Sequence, residues 1–293
     1  MNPTARIVVV ILAVAALGGA FFWLRHPAPI PAAPVASNAS PRPQVAPVPA
    51  PPPAPAPAAP AVRHPLGGRD LVGGPLPALD SSDGAFAAAL SALLGNKALT
   101  RFLVLDDFAR HFVATVENLA TDNAAAELWP VRRTPGRFLA TPAAENATIA
   151  AGNAERYTPF VRLAEAIDTE RAVSLYRHFY PLLQRAYEEL GYPGRYFNDR
   201  LVEVIDQLLA TPEPAGPIAV KKVALPGTAA SAGAAAGEDA HALYVFADPA
   251  LEALSAGQKI LLRVGPNGAA RLEAKLTEVR QRLVERGPGA SVP

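Results

Sequence analysis

No cysteine occurs in the chain, so disulfides, thiol nucleophiles and thiolate metal sites are excluded from any account of it. The same absence leaves the compartment open, because many proteins of oxidising compartments also lack cysteine. A strong charge of either sign is missing as well. Four arginines and no acidic residue precede Leu66, and the other 23 basic residues stand against 26 acidic ones, a net of −3. A nearly neutral, slightly acidic domain argues against nucleic acid as its main partner, since phosphate binding needs a concentrated basic face. The sequence also has no phosphate-binding Gly-rich loop, no nucleophile elbow around a serine and no His pair at metal-ligand spacing. Of its five histidines, His26 and His64 fall in a proline-rich stretch, while His111, His178 and His241 have no nearby His or Cys to complete a metal set. No catalytic residue, metal site or cofactor is expected on these grounds. Asp106-Asp107 and Glu188-Glu189 are carboxylate pairs, but adjacent residues on a helix diverge, and capping or solvation accounts for them.

Proline is plentiful and unevenly placed: of 32, fifteen lie between Pro27 and Pro65. That stretch is almost entirely Pro, Ala and Val, a composition that cannot pack a core and favours polyproline II. At about 3.1 Å per residue it spaces its two ends by up to roughly 120 Å. Before it, Ile7 to Leu24 is an uncharged, mostly apolar run whose helical length of about 27 Å matches a bilayer core. Phe21, Phe22 and Trp23 stand at one end, and Arg6 and Arg25 mark its edges. A cleaved signal peptide with Gly18-Gly19-Ala20 at the cut is the competing reading, although Phe21 to Leu24 would continue the apolar run past it. The expected organisation is a cytoplasmic tip (1–6), a transmembrane anchor (7–24), a disordered Pro/Ala-rich linker (25–69), one helical periplasmic domain (70–286) and a short disordered tail (287–293).

Within the domain the fold class reads as mainly α, a single helical domain with a minor β-hairpin. Tyr157 to Pro212 has the clearest helical period. Thr158 and Pro159 suit a helix start, and Asp168 caps a longer helix bearing Ala172, Tyr176, Phe179, Leu183, Ala186 and Leu190 on one face. Pro181 is expected to kink it. Asn198 or Asp199 begins a third helix through Leu201, Val204, Ile205 and Leu208. Earlier stripes run through Phe86, Leu90 and Leu93, and through Phe108, Phe112, Val116 and Leu119, the second started by Asp106-Asp107. Between Asn123 and Thr141 only one short strand near Phe138 is expected. Ile218 to Leu225 and His241 to Phe246 pair as the hairpin, and a last helix buries Leu272, Leu276, Val279 and Leu283, with Glu278 and Arg282 paired on its outer face.

Several separated words occur in a fixed order: Asn153-Ala154-Glu155-Arg156-Tyr157, Tyr180-Pro181-Leu182-Leu183-Gln184-Arg185-Ala186-Tyr187, Leu190-Gly191-Tyr192-Pro193, Phe197-Asn198-Asp199-Arg200 and Phe246-Ala247-Asp248-Pro249. With His111 to Glu117 they resemble a family of proteobacterial membrane-anchored proteins known as domain of unknown function 3014, over most of Leu76 to Arg280. The resemblance implies a single-pass anchor, a proline-rich spacer and a periplasmic domain. It carries no activity and no site residues. Glu117 departs from it, standing where an aspartate is expected.

Asn153, Arg156, Tyr157, Tyr187, Tyr192, Asn198 and Asp199 gather at helix ends around the central stretch and are the candidate binding residues. They suit either a groove for a sugar, peptide or protein loop, or the caps and buried hydrogen bonds that join helices. The functional expectation is an inner-membrane-anchored envelope protein whose domain binds or scaffolds an envelope protein or peptidoglycan. The alternative is a periplasmic hydrolase or cell-wall-modifying enzyme whose carboxylates converge only in the fold.

Overall fold

A computed structural model of the chain describes residues 61–66, 75–122, 128–143, 147–223 and 243–285. The expected anchor 7–24, the linker before residue 61 and the tail lie outside these residues. Among the described residues no helix is long and apolar enough to cross a membrane.

The domain is mainly helical. After a 3-10 turn at Leu79–Ser81 come α1 (Asp83–Leu94), α2 (Asn96–Phe102), α3 (Phe108–Ala120), α4 (Thr158–Glu165), α5 (Thr169–Glu189), α6 (Phe197–Leu209), α7 (Pro249–Glu252), α8 (Ala256–Val264) and α9 (Pro266–Val284). The apolar stripes of α1, α3, α5, α6 and α9 are buried in one cluster, because residues three and four apart share a helix face. Leu190 is the exception. It lies just past the end of α5 and is 44% exposed.

The strands exceed the expected hairpin. Among the described residues four of them form an antiparallel sheet in chain order: β1 (Ala140–Thr141), β2 (Ala147–Ile149), β3 (Ala219–Val223) and β4 (Leu243–Phe246), with α4 to α6 between β2 and β3. The expected pairing of the last two holds, with Val220 opposite Phe246. β2 was not foreseen, since three residues are too few to show a period of two, and it docks on β3 through Thr148 and Ala219. Val220, Phe246 and Leu262 form a second, smaller core under this sheet.

Helix starts differ from expectation in physical detail. Asp168 does cap α5, accepting from the backbone N–H of Glu170 and Arg171. Thr158 is already helical, because the 3-10 segment Ala151–Tyr157 runs straight into α4. Asp107 sits at the N-cap of α3 in the left-handed region, at φ 46°, and makes no cap bond. The donors there are taken by Asp83, whose carboxylate accepts from the N–H groups of Asp107 and Phe108 at 2.9 and 3.0 Å. Glu278 bonds to Lys275 at 2.6 Å and Thr169 at 2.5 Å instead of pairing with Arg282.

The element that joins the two cores is α8. Every one of its nine residues is buried, including Lys259 and Arg263. Ser255 and Gln258 close its N-terminus as a capping box, each side chain bonded to the other's backbone N–H. Ile260, Leu261 and Val264 belong to the helical core and Leu262 to the core under the sheet. α8 approaches α3 and α6 so closely that a Cβ on Gly257 would overlap the Cδ2 methyl of buried Leu208 and lie 3.1 Å from the Leu119 carbonyl oxygen. Gly257→Ala is therefore expected to destabilise the domain by about 1–3 kcal/mol, the usual cost of overfilling a packed core. Urea denaturation at fixed pH checks it, with Gly84→Ala as the control, since nothing lies within 4 Å of a Cβ there.

Candidate functional site

The seven candidate residues fall into two groups with different partners. Asn153, Arg156 and Tyr157 lie in the 3-10 segment that leads from the sheet into α4. Asn153 is fully buried. Its side-chain oxygen accepts from Leu139 N–H at 3.2 Å and from Arg156 at 3.0 Å, and its amide donates to the Arg263 carbonyl at 3.0 Å. Arg156 also donates to the carbonyls of Pro135 and Gly136, and its guanidinium lies 5.3 Å from the centre of the Tyr157 ring. These residues therefore clamp the loop before β1 onto α8. Behind them Arg263 lies over the Phe246 ring, 4.6 Å from its centre, and burial pulls its pKa down to about 10. It keeps its charge at neutral pH.

Tyr187, Tyr192, Asn198 and Asp199 meet at the corner between α5 and α6. Tyr187 stacks on Tyr192 with ring centres 4.7 Å apart and packs against Phe197 at 5.3 Å. Burial pushes the Tyr187 phenol well above its ordinary pKa, and the neighbouring Glu117 charge adds to the rise. Glu117 itself grips Arg200 with both oxygens, each at 2.9 Å. The carboxylate expected to be an aspartate thus forms a two-pronged pair tying α3 to α6, a geometry that favours arginine. Glu117→Gln weakens this pair and leaves the largely covered Arg200 short of its counter-charge. It is expected to cost about 2–3 kcal/mol, discounted because the pair is not fully buried. Chemical denaturation measures the loss.

Asn198 and Asp199 were expected to start α6, and they stand in its first turn without capping it. The cap is supplied from α5. Gln184 accepts from Phe197 N–H at 2.9 Å, and the Tyr180 hydroxyl accepts from Asn198 N–H at 3.3 Å. With those donors satisfied, both side chains turn elsewhere. Asp199, only 9% exposed, accepts from the backbone N–H groups of Arg63 at 2.8 Å and His64 at 2.6 Å. Asn198, fully buried, accepts from the Tyr176 hydroxyl at 3.1 Å and donates to the His64 carbonyl at 2.9 Å. The Tyr196 hydroxyl accepts from Leu66 N–H at 2.8 Å. Residues 61–66, part of the stretch 25–69 assigned to a disordered linker, are thus laid against the domain through main-chain atoms, and Leu66 packs on the helical core.

Burial pushes the Tyr176 and Tyr180 phenols well above their ordinary pKa, with the Asp199 charge contributing, so both stay protonated at neutral pH. They act as hydroxyl donors and acceptors. Tyr176, Tyr180, Gln184 and Tyr196 were not among the candidates. The spacing of Tyr176 and Tyr180 on one face of α5 reads as core packing, and only the fold shows their hydroxyls meeting α6.

One member of each acidic pair also meets the other, away from this corner. Asp107 and Glu189 both bond to Arg110, which reaches Asp80 as well, at distances of 2.9, 2.8 and 2.6 Å. This guanidinium holds the carboxyls of Asp80 and Glu189 below the ordinary range. Since the folded-state values are depressed, their stabilisation is present above the ordinary carboxylate pKa of about 4 and is lost as pH falls through the lower folded values. The melting temperature is expected to fall less steeply between about pH 4 and 2 in Arg110→Ala than in the wild type, as calorimetry across that range would show. Among the described residues no group of three His, Cys, Asp or Glu is placed to hold a metal ion.

A mainly helical domain with a small antiparallel sheet, its polar corner occupied by its own N-terminal segment, is the class defined by this geometry. The family described as "Protein of unknown function (DUF3014)" matches residues 108–280, and the chain belongs to it. No curated protein and no solved structure matches the chain.

Proposed function

We propose that the protein is a binding or scaffolding component of the cell envelope, held in the inner membrane by residues 7–24 and presenting its helical domain to the periplasm. The carrying observation is the corner of Tyr196, Asn198 and Asp199, which grips a bent polypeptide segment by its backbone. A carboxylate and an amide in this setting do the work of recognition, since main-chain N–H and C=O groups are obligatory partners wherever they are covered. The favoured ligand is accordingly a protein segment of the envelope, ahead of peptidoglycan. The proline-rich spacer before residue 61 serves such a role by letting the domain reach a partner far from the bilayer.

A hydrolase or wall-modifying enzyme needs carboxylates free to handle substrate and protons. The carboxylates brought together here are engaged: Asp80, Asp107 and Glu189 by Arg110, Glu117 by Arg200, and Asp199 by the backbone of residues 63 and 64. This supports the binding reading. Protease added to cells after the outer membrane is opened is expected to degrade the domain. Resistance until the inner membrane is broken would contradict the placement.

A further inference from the structure

We infer that the corner of Tyr196, Asn198 and Asp199 is a binding site for a short bend of polypeptide main chain followed by an apolar side chain, and that Arg63-His64-Pro65-Leu66 is its resident occupant, which a partner segment displaces. The inference rests on the reading that the ligand is a polypeptide. Its foundation is how completely the site matches one backbone pattern. Two consecutive N–H groups, at residues 63 and 64, meet the two oxygens of Asp199. The third position is Pro65, which has no N–H to satisfy. The fourth, Leu66, gives its N–H to Tyr196 and its side chain to the core, while Asn198 takes the carbonyl of the residue before the proline.

Side chains of the occupant add little. Arg63 stands 3.8 Å from Glu203 with both groups more than half exposed, a pair worth little in water. A site that reads a bend of backbone and one apolar side chain accepts other segments that can adopt the same bend. Only eight residues separate Leu66 from Pro75, so the resident segment faces its site at an effective concentration on the order of millimolar. A partner must outcompete that tether, which makes the segment a plug whose release opens the site.

The test uses the purified full-length chain in detergent and a fluorescent, end-capped hexapeptide of residues 61–66, read by anisotropy. The double substitution R63P/H64P removes both donors of the resident segment without touching the domain. The peptide is expected to bind this chain at least tenfold more tightly than the wild type, and adding Asp199→Asn should weaken that binding at least tenfold. Tyr196→Phe, which deletes only the hydroxyl that accepts from Leu66, provides a second domain-side variant should Asp199→Asn melt early. Failure of the peptide to saturate the R63P/H64P chain, or binding indifferent to both domain-side substitutions, overturns the inference. Because the assay is independent of compartment, a domain found on the other side of the membrane would remove the envelope placement and leave this result standing.

Discussion

The whole domain depends on burying α8 from every side. A helix that is covered all round is normally apolar all round, yet this one carries Lys259 and Arg263, and both have to be accommodated. Lys259 bonds to the Glu252 carbonyl at 3.0 Å and reaches its carboxylate at 3.4 Å, while that carboxylate also accepts from Phe246 N–H. Arg263 is covered by the Phe246 ring. The small sheet and α7 therefore supply the polar and aromatic partners that let α8 be enclosed, and Gly257 lets α3 and α6 close on its other side. Asn153, bonded to the last turn of α8, extends the same arrangement to the loop before β1.

A second consequence follows at the other end of α6. Its first N–H groups are capped by Gln184 and Tyr180 of α5, so the residues that usually cap a helix are released. A carboxylate as covered as Asp199 must still find donors, and it finds them in residues 63 and 64. The corner is polar and well packed at once: aromatic rings of Tyr176, Tyr180 and Tyr196 surround it, 5.3 to 5.7 Å apart in successive pairs. It meets residues 63, 64 and 66 through their main-chain atoms, with Leu66 packing on the core as well.

Much of the helical scaffold was legible because long amphipathic helices advertise themselves. Phe108, Phe112, Val116 and Leu119, or Leu272, Leu276, Val279 and Leu283, recur at helical spacing and are all buried. Illegible features were those set by partners distant in sequence. Lys259 and Arg263 look like the wet face of a helix until Glu252 and Phe246 are placed beside them. Asn198 and Asp199 read as caps because Gln184, which takes over that task, belongs to another helix. β2 is too short to carry a pattern, and Arg63-His64-Pro65-Leu66 stands at the end of the proline-rich stretch with no apolar period to mark it as docked. The candidate residues were identifiable as polar groups at helix ends, but their division into a loop clamp and a backbone-gripping corner is a property of the fold.

The absence of native cysteine permits a direct measurement of the central claim, that Asp199 holds the end of the spacer against α6. Cysteines placed at Arg63 and Glu203, whose side chains lie 3.8 Å apart, would be joined in the full-length chain with a short thiol-reactive cross-linker. The account predicts rapid, nearly complete cross-linking within one molecule, slowed at least tenfold by Asp199→Asn. Cross-linking that is absent, or that proceeds equally with Asp199→Asn, would contradict it.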